Sequence, residues 1–297
     1  MSVMKQSLPA AECIIVDNAS PDDSIDRCLR LIAEYNGPTQ FRILHHEKNR
    51  GLSAARNTGT DAATGDYILY LDSDDELPSD SIKSLASPLL KDSSIEMVLG
   101  NYDRFPEGCE TPSNFTPIKH LPEQEIAFAK GVRNFFFNNE GFYNYAWNRL
   151  IKKELLLHHN ICFKEGLLWE DDLWTFFIMK YLQHLYIVPD VTYHYYLHPN
   201  SIAMGTSLIE KDDHFGVIYE NIANNLTEGE KGREAKYYFR AFCSRYIRNS
   251  KNQLYRNSAE RFRKALQEDG YVKEANVLKI LKLLAKSAVG RVVINGA

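Results

Sequence analysis

The chain has 297 residues, 44% hydrophobic and 25% charged, an ordinary globular composition with room for one large domain or two modest ones. Its net charge of −4 hides an asymmetry: from Glu228 onward there are 16 Lys and Arg against 7 Asp and Glu, net +9, while the first 227 residues carry 19 against 32, net −13. A long acidic front argues against a nucleic-acid partner, which calls for a basic footprint. The basic tail suits anionic lipid or a phosphorylated acceptor. No secretory signal and no apolar run of transmembrane length are visible. Cys13, Cys28, Cys109, Cys162 and Cys243 are scattered, without a C-x-x-C pair, and read as free thiols of a reducing compartment. The expectation is a cytoplasmic protein.

Met1 to Ala11 reads as a short helical piece and a loop. Cys13-Ile14-Ile15-Val16 is a buried strand ending at Asp17-Asn18. Ser20-Pro21-Asp22-Asp23 has a capping hydroxyl, a proline at the first helical position and first-turn acids. The helix it opens carries Ile25, Leu29 and Ile32 and ends near Asn36-Gly37-Pro38. Phe41 to Leu44 is a second strand. Asn49-Arg50-Gly51 turns into a helix from Leu52 to Ala63, closed by Gly65, with Arg56-Asn57 inside it.

Tyr67-Ile68-Leu69-Tyr70-Leu71 is apolar without alternation, which predicts a central strand covered on both faces, as in a parallel sheet. It runs straight into Asp72-Ser73-Asp74-Asp75-Glu76. Acids at the carboxyl end of such a strand lie where open α/β sheets bind ligands. Their mutual repulsion calls for a positive partner, and an oxygen-only set suits Mg2+ or Mn2+ with a phosphate completing the shell. The same acids also suit a solvated turn before the next helix. Glu76 and Leu77 do not fit an EF-hand loop, which wants a short ligand and a glycine there.

A helix over 80–90 and a strand at Met97-Val98-Leu99-Gly100 continue the alternation, which predicts a parallel, doubly wound sheet. Residues 103–122, with Pro106, Pro112, Pro117 and Pro122, read as a long excursion loop. A helix over 123–137 leads to the aromatic stretch Phe142 to Trp147. Trp169-Glu170-Asp171-Asp172 begins a helix running to Tyr181. Tyr193 to Tyr196 is a strand ending at His198-Pro199-Asn200-Ser201, and from Leu208 onward the pattern is helical.

In order and spacing, these features resemble a family-2 glycosyltransferase of the GT-A fold. The resemblance rests on Ile15-Val16-Asp17-Asn18-Ala19-Ser20-Pro21-Asp22, on Asn49-Arg50-Gly51-Leu52-Ser53-Ala54-Ala55-Arg56-Asn57, and on Asp66 to Asp75 with its Asp72-Ser73-Asp74 DXD motif. Trp147-Asn148-Arg149-Leu150 and Glu170-Asp171-Asp172 resemble the bacterial enzymes that build surface polysaccharides. The likeness covers roughly residues 1–203. It implies an α/β, Rossmann-like GT-A sheet over 1–205, incomplete at its amino end, followed by a basic helical region over 206–297. The family's usual first strand and turn, which line one side of the uracil pocket, have no counterpart before Cys13. That leaves a sheet edge unpaired, and two readings follow: the natural chain begins further upstream, or it stands as it is with weakened donor binding or no activity.

The resemblance implies an inverting enzyme that moves a sugar from a UDP-sugar to a hydroxyl of a growing glycan (lipopolysaccharide, capsule or exopolysaccharide). Asp74 is implied as the metal ligand, Asp72 as touching metal or ribose beside Ser73, and Mn2+ or Mg2+ as the ion. Asp17 matches the position that accepts from the uracil ring, and Arg56 one near uracil and diphosphate. Asp171 is implied as the base, with Glu170 beside it on the acceptor. Asp172 is an adjacent candidate, and Trp169 is placed with the acceptor by its ring. His198, and less so His194, lie where some members bring a side chain to metal or diphosphate. Each residue also has a plainer reading: Asp17 as a capping turn acid, Arg56 as a helix-surface arginine, Glu170 to Asp172 as first-turn acids, and Trp147 and Trp169 as packed aromatics. Val277 to Ile294, apolar with interspersed Lys and Arg, suits either a membrane interface reached by a lipid-linked acceptor or a packed helix. The rival from another class is a catalytically inactive binding module that keeps the fold. A nucleotidyltransferase is a weaker rival, because a glycine-rich phosphate loop with lysine is missing.

Overall fold

The structure is a computed structural model, which describes residues 1–106, 118–138, 144–198 and 207–286. The middle of the Pro-rich excursion, Cys109, Phe142-Tyr143, Pro199 to Ser201 and the end of the carboxyl-terminal helical stretch lie outside the described residues. The chain divides into two compact units, Met1–Gly205 and Thr206–Ala297.

The first unit opens with a 3-10 turn, Ser2–Lys5. Strand β1 (Glu12–Asp17) and strand β2 (Gln40–His45) form a parallel two-stranded sheet, in register from Glu12 with Gln40 to Asp17 with His45. Helix α1 (Ser24–Glu34) connects them. It starts four residues later than Ser20, because an Asp17 side-chain oxygen accepts from the Ser20 N–H at 2.9 Å and holds that stretch as a turn. Helix α2 (Leu52–Ala62) follows β2. Its entry needs Gly51, whose φ of +84° lies in the left-handed region that glycine adopts without penalty.

A second sheet holds five strands: β3 (Tyr67–Leu69), β4 (Met97–Pro106), β5 (Gln124–Ala127), β6 (Arg149–Lys152) and β7 (His184–Leu197), in the order β3-β6-β4-β7-β5. This corrects the all-parallel expectation. Only β4 and β7 pair in parallel; β6 runs antiparallel to both β3 and β4, and β5 antiparallel to β7. The chain leaves β4, makes its excursion, and returns as a short strand wedged between β3 and β4. So β3 has one partner among the described residues rather than the two of a central strand, and its three residues are half-buried. The helix predicted over 123–137 is also corrected: β5 occupies its start, and α4 covers Ala129–Asn138.

Period-two alternation assigns the strands' side chains to two cores. Met97, Leu99, Ile151, Leu185 and Ile187 face helices α4, α5 (Lys153–His158) and α6 (Glu170–Tyr181), packing with Phe136, Leu155 and Trp174. Val98, Leu150 and Val188 face α3 (Ser81–Ala86), packing with Leu85. Gly100 sits where β4 and β7 approach closely: a Cβ there would lie 2.0 Å from Thr192 Oγ1.

The second unit's described residues form α7 (Leu208–Asn224), α8 (Lys231–Arg248), α9 (Gln253–Glu268) and α10 (Val272–Lys286). Phe242, Tyr255 and Phe262 are fully buried at its centre. Buried Asp212 accepts from Arg248 at 2.7 and 2.9 Å and from Asn249 at 2.8 Å. In α10, Ala275, Leu278 and Leu281 are buried at helical spacing while Ile280 is exposed, and Lys282 pairs with Glu260 at 2.8 Å. Ala275, Leu278 and Leu281 thus form a buried stripe on this helix. Among the described residues, no helix is long and apolar enough to cross a membrane.

Candidate active site

The acids of Asp72–Glu76 are fixed by β7. The Glu76 and His194 backbones exchange two hydrogen bonds, at 2.9 and 3.2 Å. Asp75 is buried, accepting from the Tyr193 hydroxyl at 2.6 Å and from the Tyr196 N–H at 2.8 Å. The same hydroxyl accepts from the Asp72 N–H at 3.2 Å. Burial pushes the Asp75 carboxyl up to about 7. From the other side, Gln6 donates to the Pro78 carbonyl at 2.7 Å and accepts from the Ile82 N–H at 3.1 Å. With its backbone clamped, the loop presents Asp74 and Ser73 exposed and Asp72 half-buried.

Helix α2 delivers Arg56 to this loop from below. Its guanidinium is buried, and Nη2 donates to Asp72 Oδ1 at 2.8 Å. Nη1 donates to both Glu170 Oε1 and Asp171 Oδ1, each at 2.8 Å. Burial alone would lower the guanidinium's pKa; the charges of Asp171, Asp72 and Glu170 more than offset it and hold the group above its ordinary value. The plainer reading of Arg56 as a surface arginine is thereby corrected. Its support is Phe163, whose ring lies 5.2 Å from the guanidinium carbon. Asn57 fixes that residue, donating to the Phe163 carbonyl at 2.8 Å and accepting from its N–H at 2.9 Å.

Helix α6 opens at Trp169, whose φ of +59° turns the chain so that Glu170, Asp171 and Asp172 form the first turn. Glu170 is buried, and burial with the neighbouring Asp171 charge lifts its carboxyl to about 7. Burial also raises Asp171, although Arg56 and the Ala146 N–H, which donates to Oδ2 at 3.2 Å, pull the other way. Arg149 on β6 is fully buried, and burial brings its pKa down to about 10 while Asp171 acts to raise it. Asp172 accepts from Asn144. Trp169 is half-buried at the helix entry.

The structure thus brings Arg56, Asp72, Glu170 and Asp171 together, with Ser73 and Asp74 on the same loop. Asp17 caps the end of β1, its oxygens taken by the Ser20 N–H and by His45 Nδ1, each at 2.9 Å, and these contacts hold its carboxyl below the usual range. His198 follows Leu197 at the carboxyl end of β7, the strand that clamps the acid loop. Trp147 is buried in a stack with Tyr193 at 4.4 Å and Tyr145 at 4.3 Å, so it supports the loop's anchor instead of offering a face to sugar. Sequence reasoning missed Gln6, Tyr193, Phe163 and the positioning role of Asn57, all of which act through contacts far apart in sequence.

The hard oxygen ligands at Asp72 and Asp74 fit a small divalent cation. Arg56 holds Asp72 Oδ1, and Asp74 is exposed. One other cluster among the described residues holds metal-type ligands: Asp92, Glu125 and His184. There Glu125 approaches His184 Nε2 at 3.0 Å, whereas Asp92 approaches Nδ1 at 3.9 Å. One ion on the ring would reach only one carboxylate in line. His184 also lies ten residues before His194 on β7, at the opposite end of the strand from the acid loop.

The profile described as glycosyl transferase family 2 matches residues 1–159. The chain belongs to this family. Among its relatives, the uncharacterized glycosyltransferase YibD of Escherichia coli K12 is 28% identical over 68% of this chain and 57% of its own length. The poly(ribitol-phosphate) beta-N-acetylglucosaminyltransferase TarP of Staphylococcus aureus N315 is 26% identical over 88% of this chain and 69% of its own length. The matched stretch thus spans little more than half of YibD. Residues 1–349 of S. aureus TarS superpose with a TM-score of 0.67 at 18% identity, over 96% of this chain and 82% of that one. The same fragment in complex with UDP gives 0.64 at 17% identity, over 99% and 88%. The fold is that of the GT-A glycosyltransferases.

Proposed function

We propose that the chain is an inverting glycosyltransferase that moves a sugar from a UDP-sugar to a hydroxyl of a growing bacterial surface glycan. The observation that carries this reading is the Arg56 guanidinium, which bridges Asp72 on the acid loop to Glu170 and Asp171 at the start of α6. Donor-side and acceptor-side carboxylates therefore stand one guanidinium apart. TarP is named for N-acetylglucosamine transfer to poly(ribitol-phosphate), and a TarS fragment was solved with UDP. The UDP complex supports a uridine donor here, and the TarP name supports a polymer acceptor.

Asp72 and Asp74 would hold Mn2+ or Mg2+, with His198 a further ligand from the end of β7. The ion supplies a Lewis acid for the leaving diphosphate. Asp17 accepts from the uracil ring, and Ser73 and Arg56 face the donor. Asp171 takes the proton of the acceptor hydroxyl as that oxygen bonds to the anomeric carbon, while the carbon–oxygen bond to the diphosphate breaks and its electron pair leaves with UDP. Burial suits Asp171 to the task, because a carboxylate held above its ordinary pKa is a stronger base. Glu170, Asp172 and Trp169 bind the acceptor. Attack from the face opposite the leaving group inverts the anomeric configuration.

The test is turnover with a panel of UDP-sugars and glycan acceptors, comparing wild type with Asp171→Asn. The reading expects UDP release with an inverted product, and a loss of at least ~100-fold in the variant with donor binding kept. An Asp171→Asn enzyme that turns over at the wild-type rate overturns the assignment of the base.

A further inference from the structure

Arg56 has one guanidinium and three carboxylate partners. Nη1 is divided between Glu170 and Asp171, Nη2 is given to Asp72, and all three contacts are 2.8 Å. The side chains of Arg56 and Glu170 are each 6% exposed, so solvent screens this cluster weakly. A donor diphosphate brings further negative charge to a group already oversubscribed with it. Arg56 can turn toward phosphate only as far as the carboxylates on Nη1 allow.

We infer that Glu170 restrains the donor by holding Arg56, so that the acceptor-side carboxylates and the nucleotide compete for one guanidinium. This rests on the donor and acceptor assignments proposed above. Coupling of this kind is reciprocal. An acceptor whose hydroxyls engage Glu170 and Asp171 relaxes their hold on Nη1 and tightens the donor, and a bound donor in turn favours the acceptor. Arg56 is then the positioning residue that makes the two substrates bind better together than apart, without movement of the fold.

Glu170→Gln isolates the effect. Glutamine keeps an acceptor oxygen for Nη1 and nearly the same volume, but removes the charge. UDP is titrated calorimetrically into wild type, Glu170→Gln, Arg56→Lys and the double variant, with Mn2+ present, at about pH 8.5. Glu170, which burial pushes up to about 7, is ionised there. The inference expects Glu170→Gln to bind UDP on the order of tenfold more tightly than wild type. It expects the gain to shrink below about twofold in the Arg56→Lys background, where the fork that joins the subsites is lost. A glutamine variant that binds UDP no more tightly than wild type overturns the coupling and leaves the donor reading standing. So does a gain that persists undiminished beside Arg56→Lys, since it then reflects removal of any nearby charge. If neither wild type nor Glu170→Gln binds UDP, the donor reading falls and the coupling with it.

Discussion

The Tyr193 hydroxyl donates to Asp75 Oδ2 at 2.6 Å while accepting from the Asp72 N–H at 3.2 Å. One side chain on β7 thereby fixes both ends of the acid turn. Tyr193→Phe leaves a buried carboxylate oxygen and a backbone N–H without this partner, which costs about 1–3 kcal/mol. Denaturant unfolding measures that loss. Metal-dependent UDP affinity is expected to fall as well, because the backbone carrying Asp72 is no longer pinned.

Asn57 acts one step behind Arg56. Replacing it with alanine strands the N–H and carbonyl of Phe163, a residue buried beneath the guanidinium. The expected loss is about 2 kcal/mol or more of stability. Transfer, measured where the variant is still fully folded, is expected to fall further than the folded fraction accounts for.

Asp74 is exposed, so its replacement tests the ion almost in isolation. Asp74→Ala is expected to change stability by less than about 0.5 kcal/mol while removing the gain in UDP affinity that Mn2+ gives. The comparison is a pair of titrations, with and without the ion.

The pH dependence follows from carboxyls held high by burial. For transfer, Asp171 works deprotonated, so kcat/KM rises with pH and its acidic limb lies above 3.8, the ordinary value of the group. A limb at or below 3.8 contradicts the burial argument. For stability the sign is opposite. Glu170 and Asp75, both lifted to about 7, favour the folded state when protonated. That contribution is complete below the ordinary values of 4.5 and 3.8 and is lost as pH rises through about 7. Glu170→Gln is expected to flatten part of this slope in thermal unfolding of metal-free protein.

The first strands and helices were readable because each is a local pattern: Cys13 to Val16 reads as a strand and Leu52 to Ala63 as a helix, whereas Tyr67 to Leu71 read as a central strand and β3 ends at Leu69 with one partner among the described residues. The two acid clusters were equally legible as runs of acids at an element's end, Asp72 to Glu76 after β3 and Glu170 to Asp172 opening α6. What escaped depends on distant partners. Strand β6 is four residues bracketed by Arg149 and Lys152, with nothing local to mark it. Its insertion between β3 and β4 turned an expected parallel sheet into a mixed one. Strand β5 was hidden in a stretch whose apolar spacing continues into α4. The resemblance placed Arg56 near the donor, but its bridge to Glu170 and Asp171 was not legible, because α6 lies more than a hundred positions later. Asp75 read as a helix-entry acid because Tyr193 and Tyr196, which bury it, lie on another strand.

The central claim is that Asp72 and Asp74 hold the diphosphate of a uridine nucleotide through a divalent ion. Calorimetric titration of UDP into the wild-type chain, with and without Mn2+, tests it most directly. The account predicts binding that strengthens at least about tenfold with Mn2+. UDP affinity that is the same with and without Mn2+, or no binding in either case, would contradict it.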